Sequence, residues 1–322
     1  MSAERSSGGA LVVSLDLDLA WGGAAEPNPA DIEGGLAVIP RILELFEEWE
    51  IHATWAFVGL AFARDREDAR RFAPRWVAHE QLARREIEVA PARYFAPELV
   101  ATIAARPHQE IGSLTFSHYD CTRPGQTAGQ FEADLAAAVA IAQRDGITLR
   151  SLVFPGDQGR PEHLPILARH QIRCFRGRRP GWAHRPSRSP ILGALRRALC
   201  TADNYSLLIP DLAISLERLV ERRGGGPLEI PACRYLRPHD PSLRAIESLR
   251  AHRMLFEMIT AAEAGGLYHL WLRPLELGAH VRENLQVLGD LLRTARALAE
   301  LHGFRSLTMA ELAEHADLAR GG

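Results

Sequence analysis

The 322-residue sequence predicts an α/β fold, a distorted (β/α) barrel of about seven parallel strands with surrounding helices. Three observations carry this prediction. Short apolar runs rich in β-branched and aromatic residues alternate with longer amphipathic stretches. About seven such units follow one another, enough for a barrel. The polar residues with chemistry to offer sit where the apolar runs end, at the expected C-terminal ends of strands.

The units can be taken in order. Residues 1–10 read as a disordered N-terminus, and 11–315 as one barrel domain. LVVSLDLDL is a buried strand that turns polar at its end. The stretch 36–49 has helical spacing with its acids facing out. IHATWAFVGL is a second strand ended by Gly59, and 62–90 is a charged, helical, insertion-like segment. FAPELVATIAARP is a helix entered through Pro97 and leads to a strand at EIGSL. AGQFEADLAAAVAIAQRDG is a long helix closed by Gly146, followed by a strand in RSLVFPGD. A helix at HLPILARHQ precedes a strand at IRCFRG. PLEIPACRYL and GLYHLWLRP read as further strands, and RENLQVLGDLLRTARALAELHG as an amphipathic helix before a last strand at FRSLTM. The Arg-, Pro- and Gly-rich stretch near 176–206 reads as a loop excursion.

Composition narrows the classes. A net charge of −2 gives no electrostatic footprint for nucleic acid or an anionic membrane. No apolar run approaches the roughly 18 residues of a membrane span, and the N-terminus lacks the apolar stretch of a signal peptide. The four cysteines (Cys121, Cys174, Cys200, Cys233) show no paired spacing, which suits reduced thiols. The expectation is a cytoplasmic, soluble protein.

Candidate chemistry begins at SLDLDLAWG. Asp16 and Asp18 are two apart on a strand and therefore share a face. Two carboxylates on one face cost desolvation unless a cation offsets them; solvated strand-end acids are the alternative. In EIGSLTFSHYDC, the residues Leu114, His118 and Cys121 have the spacing of one helical face, if the segment is helical. His118 alone reads as readily as a structural histidine. In GLYHLWLRP, His269, Trp271 and Arg273 share one strand face.

These segments, in this order, resemble the polysaccharide deacetylase (NodB-homology) carbohydrate esterases over about residues 11–315. SLDLDLAWG resembles the first motif of that family, ATWAFVG its second strand and EIGSLTFSH its H-x-x-x-H metal motif. RSLVFPGDQ and PLEIPACRYLRP are similar to the next two strands, and HLWLRPLELG to the last motif. The resemblance implies a divalent metal, often zinc, with Asp16 as general base and Asp18 and His118 as two of three metal ligands. Trp21, Asp157, Glu229 and Trp271, in or beside the same motifs, are expected to line the substrate pocket; for Glu229 a salt bridge is the alternative.

The sequence departs from the family pattern at three places. Leu114 stands where the first metal histidine belongs, Gly156 where the positioning arginine belongs, and Arg273 where the acid histidine belongs. Leucine has no lone pair, and arginine does not deprotonate at neutral pH. Cys121 is a possible substitute ligand, and His269 a candidate catalytic histidine, with a buried structural histidine as the equal alternative. Alternatively, Arg273 replaces the charge of the metal and pairs with Asp16 and Asp18. The sequence is compatible with three functions: an enzyme of altered chemistry on the C–N bond of a soluble amino-sugar or biosynthetic intermediate, a silent homologue that binds a sugar or partner, or a metal-dependent deacetylase with a substitute ligand.

Overall fold

The computed structural model describes residues 8–22, 29–179, 214–222 and 225–321, with positions 192, 194, 195, 199 and 203 between them. The strands are β1 (Ala10–Leu17), β2 (Ala53–Phe57), β3 (Gln109–Ser113), β4 (Ser151–Val153) and β5 (Cys174–Gly177), then β6 (Ile214–Ser215), β7 (Leu228–Pro231), β8 (Arg234–Tyr235), β9 (Gly266–Leu272) and β10 (Arg305–Leu307). Their order is β6-β9-β1-β2-β3-β4-β5-β7, with β10 on β1 and β8 on β9. Every pairing is parallel except β6 with β9. Seven successive parallel strands, β9 through β7, therefore form a curled sheet with helices around it, a distorted (β/α) barrel.

The two faces of the sheet follow from alternation along β1. Leu11, Val13, Leu15 and Leu17 pack with the surrounding helices in the larger core. Ala10 and Val12 instead cluster with Cys174 of β5, Leu228 and Ile230 of β7, and Leu267 of β9. Strands so far apart in the sheet meet only across its concave side, so this second cluster fills the interior. The helix Met309–Gly321 closes one end of that interior with Met309, Leu312, Ala313 and Ala316. Its first amides point inward: Met309 N–H donates to Thr54 Oγ1 (2.9 Å) and Ala310 N–H to the buried Glu110 carboxylate (3.1 Å). Thr54 and Ser151 hydroxyls also donate to Glu110, and burial pushes its carboxyl pKa up. A helix N-terminus favours the acid there.

Several sequence expectations need correcting. β1 starts at Ala10, inside the segment expected to be disordered, and residues 1–7 lie outside the described residues. The first helix runs over Pro29–Glu48 with Pro40 inside it, so its start precedes the expected residue 36. PLEIPACRYL is two strands, because β7 pairs with β5 whereas β8 pairs with β9. The helix Glu247–Glu263 is absent from the sequence expectation, and the final helix extends beyond residue 315. Most of the predicted 176–206 excursion, with Cys200, lies outside the described residues. Among the described residues no helix is long and apolar enough to cross a membrane.

Candidate functional site

At the C-terminal ends of β1, β5 and β9, interior side chains give way to charge. Asp16 occupies the interior parity of β1, two residues beyond Ser14. On β5 the same parity runs from Cys174 to Arg176, whose guanidinium is 2% exposed. Arg176 donates both η nitrogens to Asp16, Nη1 to Oδ1 and Nη2 to Oδ2, each at 2.7 Å. Its Nε donates to Asp157 Oδ1 (2.9 Å), and Nη1 also reaches Ser14 Oγ (3.2 Å). This fork-on-fork pairing is the strong form of an arginine–carboxylate contact. Burial alone would lower the Arg176 pKa, but Asp16 and Asp157 raise it on balance.

A second pair lies beside the first. Arg273, just past β9, donates to Asp18 Oδ2, and its Nη1 donates to Glu276 (2.9 Å). Glu276 also accepts from the Tyr235 hydroxyl. The Tyr235 ring stacks on Trp271 at 4.2 Å, and the Arg176 guanidinium lies 4.4 Å from the Trp271 ring centroid. Asp16, Arg176, Trp271, Tyr235, Glu276, Arg273 and Asp18 thus form one chain of contacts that begins and ends on neighbouring residues of β1 and its continuation. Gly22 closes over Asp18 so tightly that a Cβ there would lie 1.8 Å from Oδ2. Glycine is therefore required after Trp21.

His118 approaches from the β3 side. Its Nε2 is 3.9 Å from Asp18 Oδ2, too far for a hydrogen bond. The segment carrying it is not helical. Thr115 and His118 both have left-handed backbone, with φ of 65° and 56°, conformations that non-glycine residues adopt at a cost. Buried Asp134 holds this turn by accepting from Phe116 N–H (2.7 Å) and the Ser117 hydroxyl (2.5 Å), and burial lifts its own pKa to about 6. His118 also borders a cavity of about 270 Å³ lined by Trp76, Gln81, Asp120, Arg123 and Gln126.

The electrostatics separate the titratable groups. Burial pushes the Asp18 carboxyl up to about 6; Arg273 opposes the rise and Asp16 adds to it. Burial, then Arg273, lowers His118 to about 4. At neutral pH the histidine is therefore uncharged and Asp18 is an acid close to its titration range.

The sequence-predicted residues divide accordingly. Asp16, Asp18, His118, Asp157, Trp271 and Arg273 are brought together. The sequence expectation has Arg273 facing both aspartates, yet it holds Asp18 while Arg176 takes Asp16. Trp21 faces the core instead of a pocket: it is 5% exposed, and its indole N–H donates to the Tyr94 carbonyl (2.8 Å). His269 is fully buried beneath Ser14, whose hydroxyl lies 2.8 Å from its Nε2. Burial and the nearby Arg176 push its pKa down to about 3, so it is uncharged at neutral pH, and its burial keeps it out of reach of a substrate. Glu229 falls on the outward parity of β7, exposed and against Gly177. Without a helical turn, Cys121 leaves the His118 face; it is buried, and burial lifts its thiol to about 12.

Arg176, Tyr235, Glu276 and Asp134 escape the sequence reading. A signal for Arg176 exists, since Cys174 and Arg176 share the interior parity of IRCFRG.

A divalent metal fits this site poorly. Asp18 Oδ2 is engaged by a guanidinium, Leu114 is a buried apolar wall, and Cys121 is a protonated thiol. Among the described residues no His/Cys/Asp/Glu trio with converging donor atoms includes Asp18 or His118. The donor set at this end of the barrel is that of an ion-pair network.

No protein-family model matches the sequence, and no curated protein matches it either. Solved structures share the fold. A provisionally assigned polysaccharide deacetylase from Mycobacterium smegmatis aligns with a TM-score of 0.61 at 14% identity, covering 97% of this chain and 92% of that one. The allantoinase PuuE aligns at 0.57 and 14% identity, over 100% and 94% of the two chains. A provisionally assigned polysaccharide deacetylase from Pseudomonas aeruginosa PAO1 aligns at 0.55 and 15% identity, over 95% and 90%. The chain therefore has the polysaccharide deacetylase fold; identities this low show the fold alone.

Proposed function

We propose that the protein is a metal-independent member of this fold that acts on the C–N bond of a small, soluble amide, such as an N-acylated amino-sugar or a biosynthetic intermediate. The observation that carries the reading is the guanidinium of Arg273 on Asp18. It places a fixed positive charge where the resemblance implies a metal. A guanidinium can stabilise the oxyanion that forms when an amide carbonyl is attacked. Asp18, with its pKa raised to about 6, is ionised in most molecules at neutral pH and basic enough to take a proton from water. Neutral His118 faces the same carboxylate and can orient that water or the substrate. Arg176 supplies from β5 the positioning of Asp16 that an arginine at position 156 was expected to supply from the β4 end.

A second reading is binding without turnover. It is favoured by the Arg176 fork, which occupies both oxygens of Asp16 and leaves that carboxylate no free lone pair for base chemistry along the fork.

The deciding experiment combines amide-hydrolysis assays on N-acetylated sugars and cyclic amides with calorimetric binding, on protein purified without a histidine tag. Turnover that persists in chelator and disappears in Asp18→Asn supports the first reading. Binding without turnover, lost in the same variant, supports the second. A metal equivalent that is lost in His118→Ala, together with chelator-sensitive turnover, overturns both.

A further inference from the structure

The opposite end of the barrel carries a separate cluster of donors. His52 and His108 immediately precede the paired residues Ala53 and Gln109 that open β2 and β3, so the two imidazoles stand side by side. Their rings are stacked at 4.0 Å with 13° between planes. Glu311, in the first turn of the helix Met309–Gly321, brings its carboxylate to His52 Nδ1 at 2.8 and 3.0 Å. That carboxylate is fixed in place: Glu311 Oε2 accepts from Thr308 N–H (2.8 Å), and Glu311 N–H donates to Thr308 Oγ1 (3.1 Å), a reciprocal helix cap. Among the described residues this is the one His/Cys/Asp/Glu trio whose donor atoms all lie within 4.8 Å of one another. It borders a cavity of about 650 Å³ that also takes in Glu314 and His315.

We propose that His52, His108 and Glu311 form a binding site for a divalent transition metal of the zinc type. Two imidazoles and one carboxylate match the donor preference of zinc, and the cavity leaves room for water as the fourth ligand. Bonds of 2.0–2.1 Å at a tetrahedral ion set neighbouring donor atoms about 3.3 Å apart. The His52–Glu311 separation therefore needs to open by only about 0.5 Å for the ion to enter between them. For the metal to bind at Nδ1, a proton carried there must move to Nε2 or to solvent. His108 is exposed, so its ring is free to turn out of the stack and direct a lone pair at the ion. The bound metal joins the N-terminal ends of β2 and β3 to the last helix, across 259 residues of chain between His52 and Glu311. Its role is that of a clip, distinct in place and in donors from the arginine-paired aspartates.

The test is a titration of the untagged, chelator-treated protein with zinc by calorimetry, with cobalt absorption as a reporter of low-coordinate geometry and thermal melting alongside. Expected are one equivalent bound, intense visible cobalt bands and a melting midpoint raised by about 3 °C or more in excess zinc. His108→Ala, an exposed change that leaves the fold intact, is expected to weaken zinc binding at least about a hundredfold by removing one of three ligands. His118→Ala is expected to leave it unchanged. Absence of binding, or binding equally tight in His108→Ala, overturns the site. Loss in His118→Ala with retention in His108→Ala overturns it too, and moves the metal to the other end of the barrel.

Discussion

The two ends of the barrel solve the burial of polar groups in opposite ways. At the C-terminal end each acid meets a permanent cation. Asp16 and Asp157 share Arg176, and Asp18 and Glu276 share Arg273. Arginine does not deprotonate, so this charge cannot be removed by pH or by a chelator. At the N-terminal end the acid Glu311 meets histidine, whose proton can be exchanged for a metal. On the two proposals above, the first end holds its ligand without an ion, whereas the second takes up and releases one.

The largest expected effect strikes at the permanent cation. Arg176→Met strands Asp16 and Asp157 as buried, unpaired acids and is expected to cost about 3–5 kcal/mol in urea unfolding; a loss below about 1 kcal/mol would show that the pairing is incidental. Next comes Arg273→Ala. Its side chain is one-third exposed but its partner Asp18 is buried, so stability should fall by about 1–3 kcal/mol, while kcat/KM drops by about a hundredfold or more through loss of the oxyanion partner. Equal turnover in the variant would remove arginine from the chemistry.

The pH dependence sharpens the same point. In the proposed reaction Asp18 acts as its ionised form, so kcat/KM should rise with pH through an apparent pKa of about 6 and then level off. His118, lowered to about 4, adds no inflection above that range. Asp18→Asn should abolish the rise along with the activity, and a profile that stays flat from pH 5 to 8 contradicts the assignment. The smallest effect belongs to the other end. Without zinc, His108→Ala should change stability by less than about 0.5 kcal/mol, because the side chain is exposed.

Much of this architecture is legible in the sequence. Seven buried strands announce themselves by apolar runs, and alternation correctly places Asp16 with Asp18 and His269 with Trp271. The failures have physical causes. The helix Glu247–Glu263 turns Arg250, Arg253 and Glu257 inward beside Met254 and Met258, so its buried face does not read as apolar. Arg253 and Arg234 meet Glu257 there, and Asp203 meets Arg234. Arg176 hides at the edge of an arginine-rich stretch, where composition outweighs parity. Cys121 falls beside His118 only on a helical turn, which the left-handed backbone at Thr115 and His118 rules out. Trp21 and Glu229 sit in suggestive motifs, but neither side chain points into the site.

The position of β1 in the sheet bears on how the chain is made. It lies between β2 and β9 and also carries β10, so two of its three partners come from the last third of the sequence. As the polypeptide leaves the ribosome, its first strand can pair on one side only. The concave core stays open until the segment around residues 266–316 has emerged, because that core needs Leu267, Met309 and Leu312. The barrel thus closes only after that segment has been made. Premature stops before residue 266 should leave an unsatisfied strand edge and a protease-sensitive fragment, however much of the sequence has been translated.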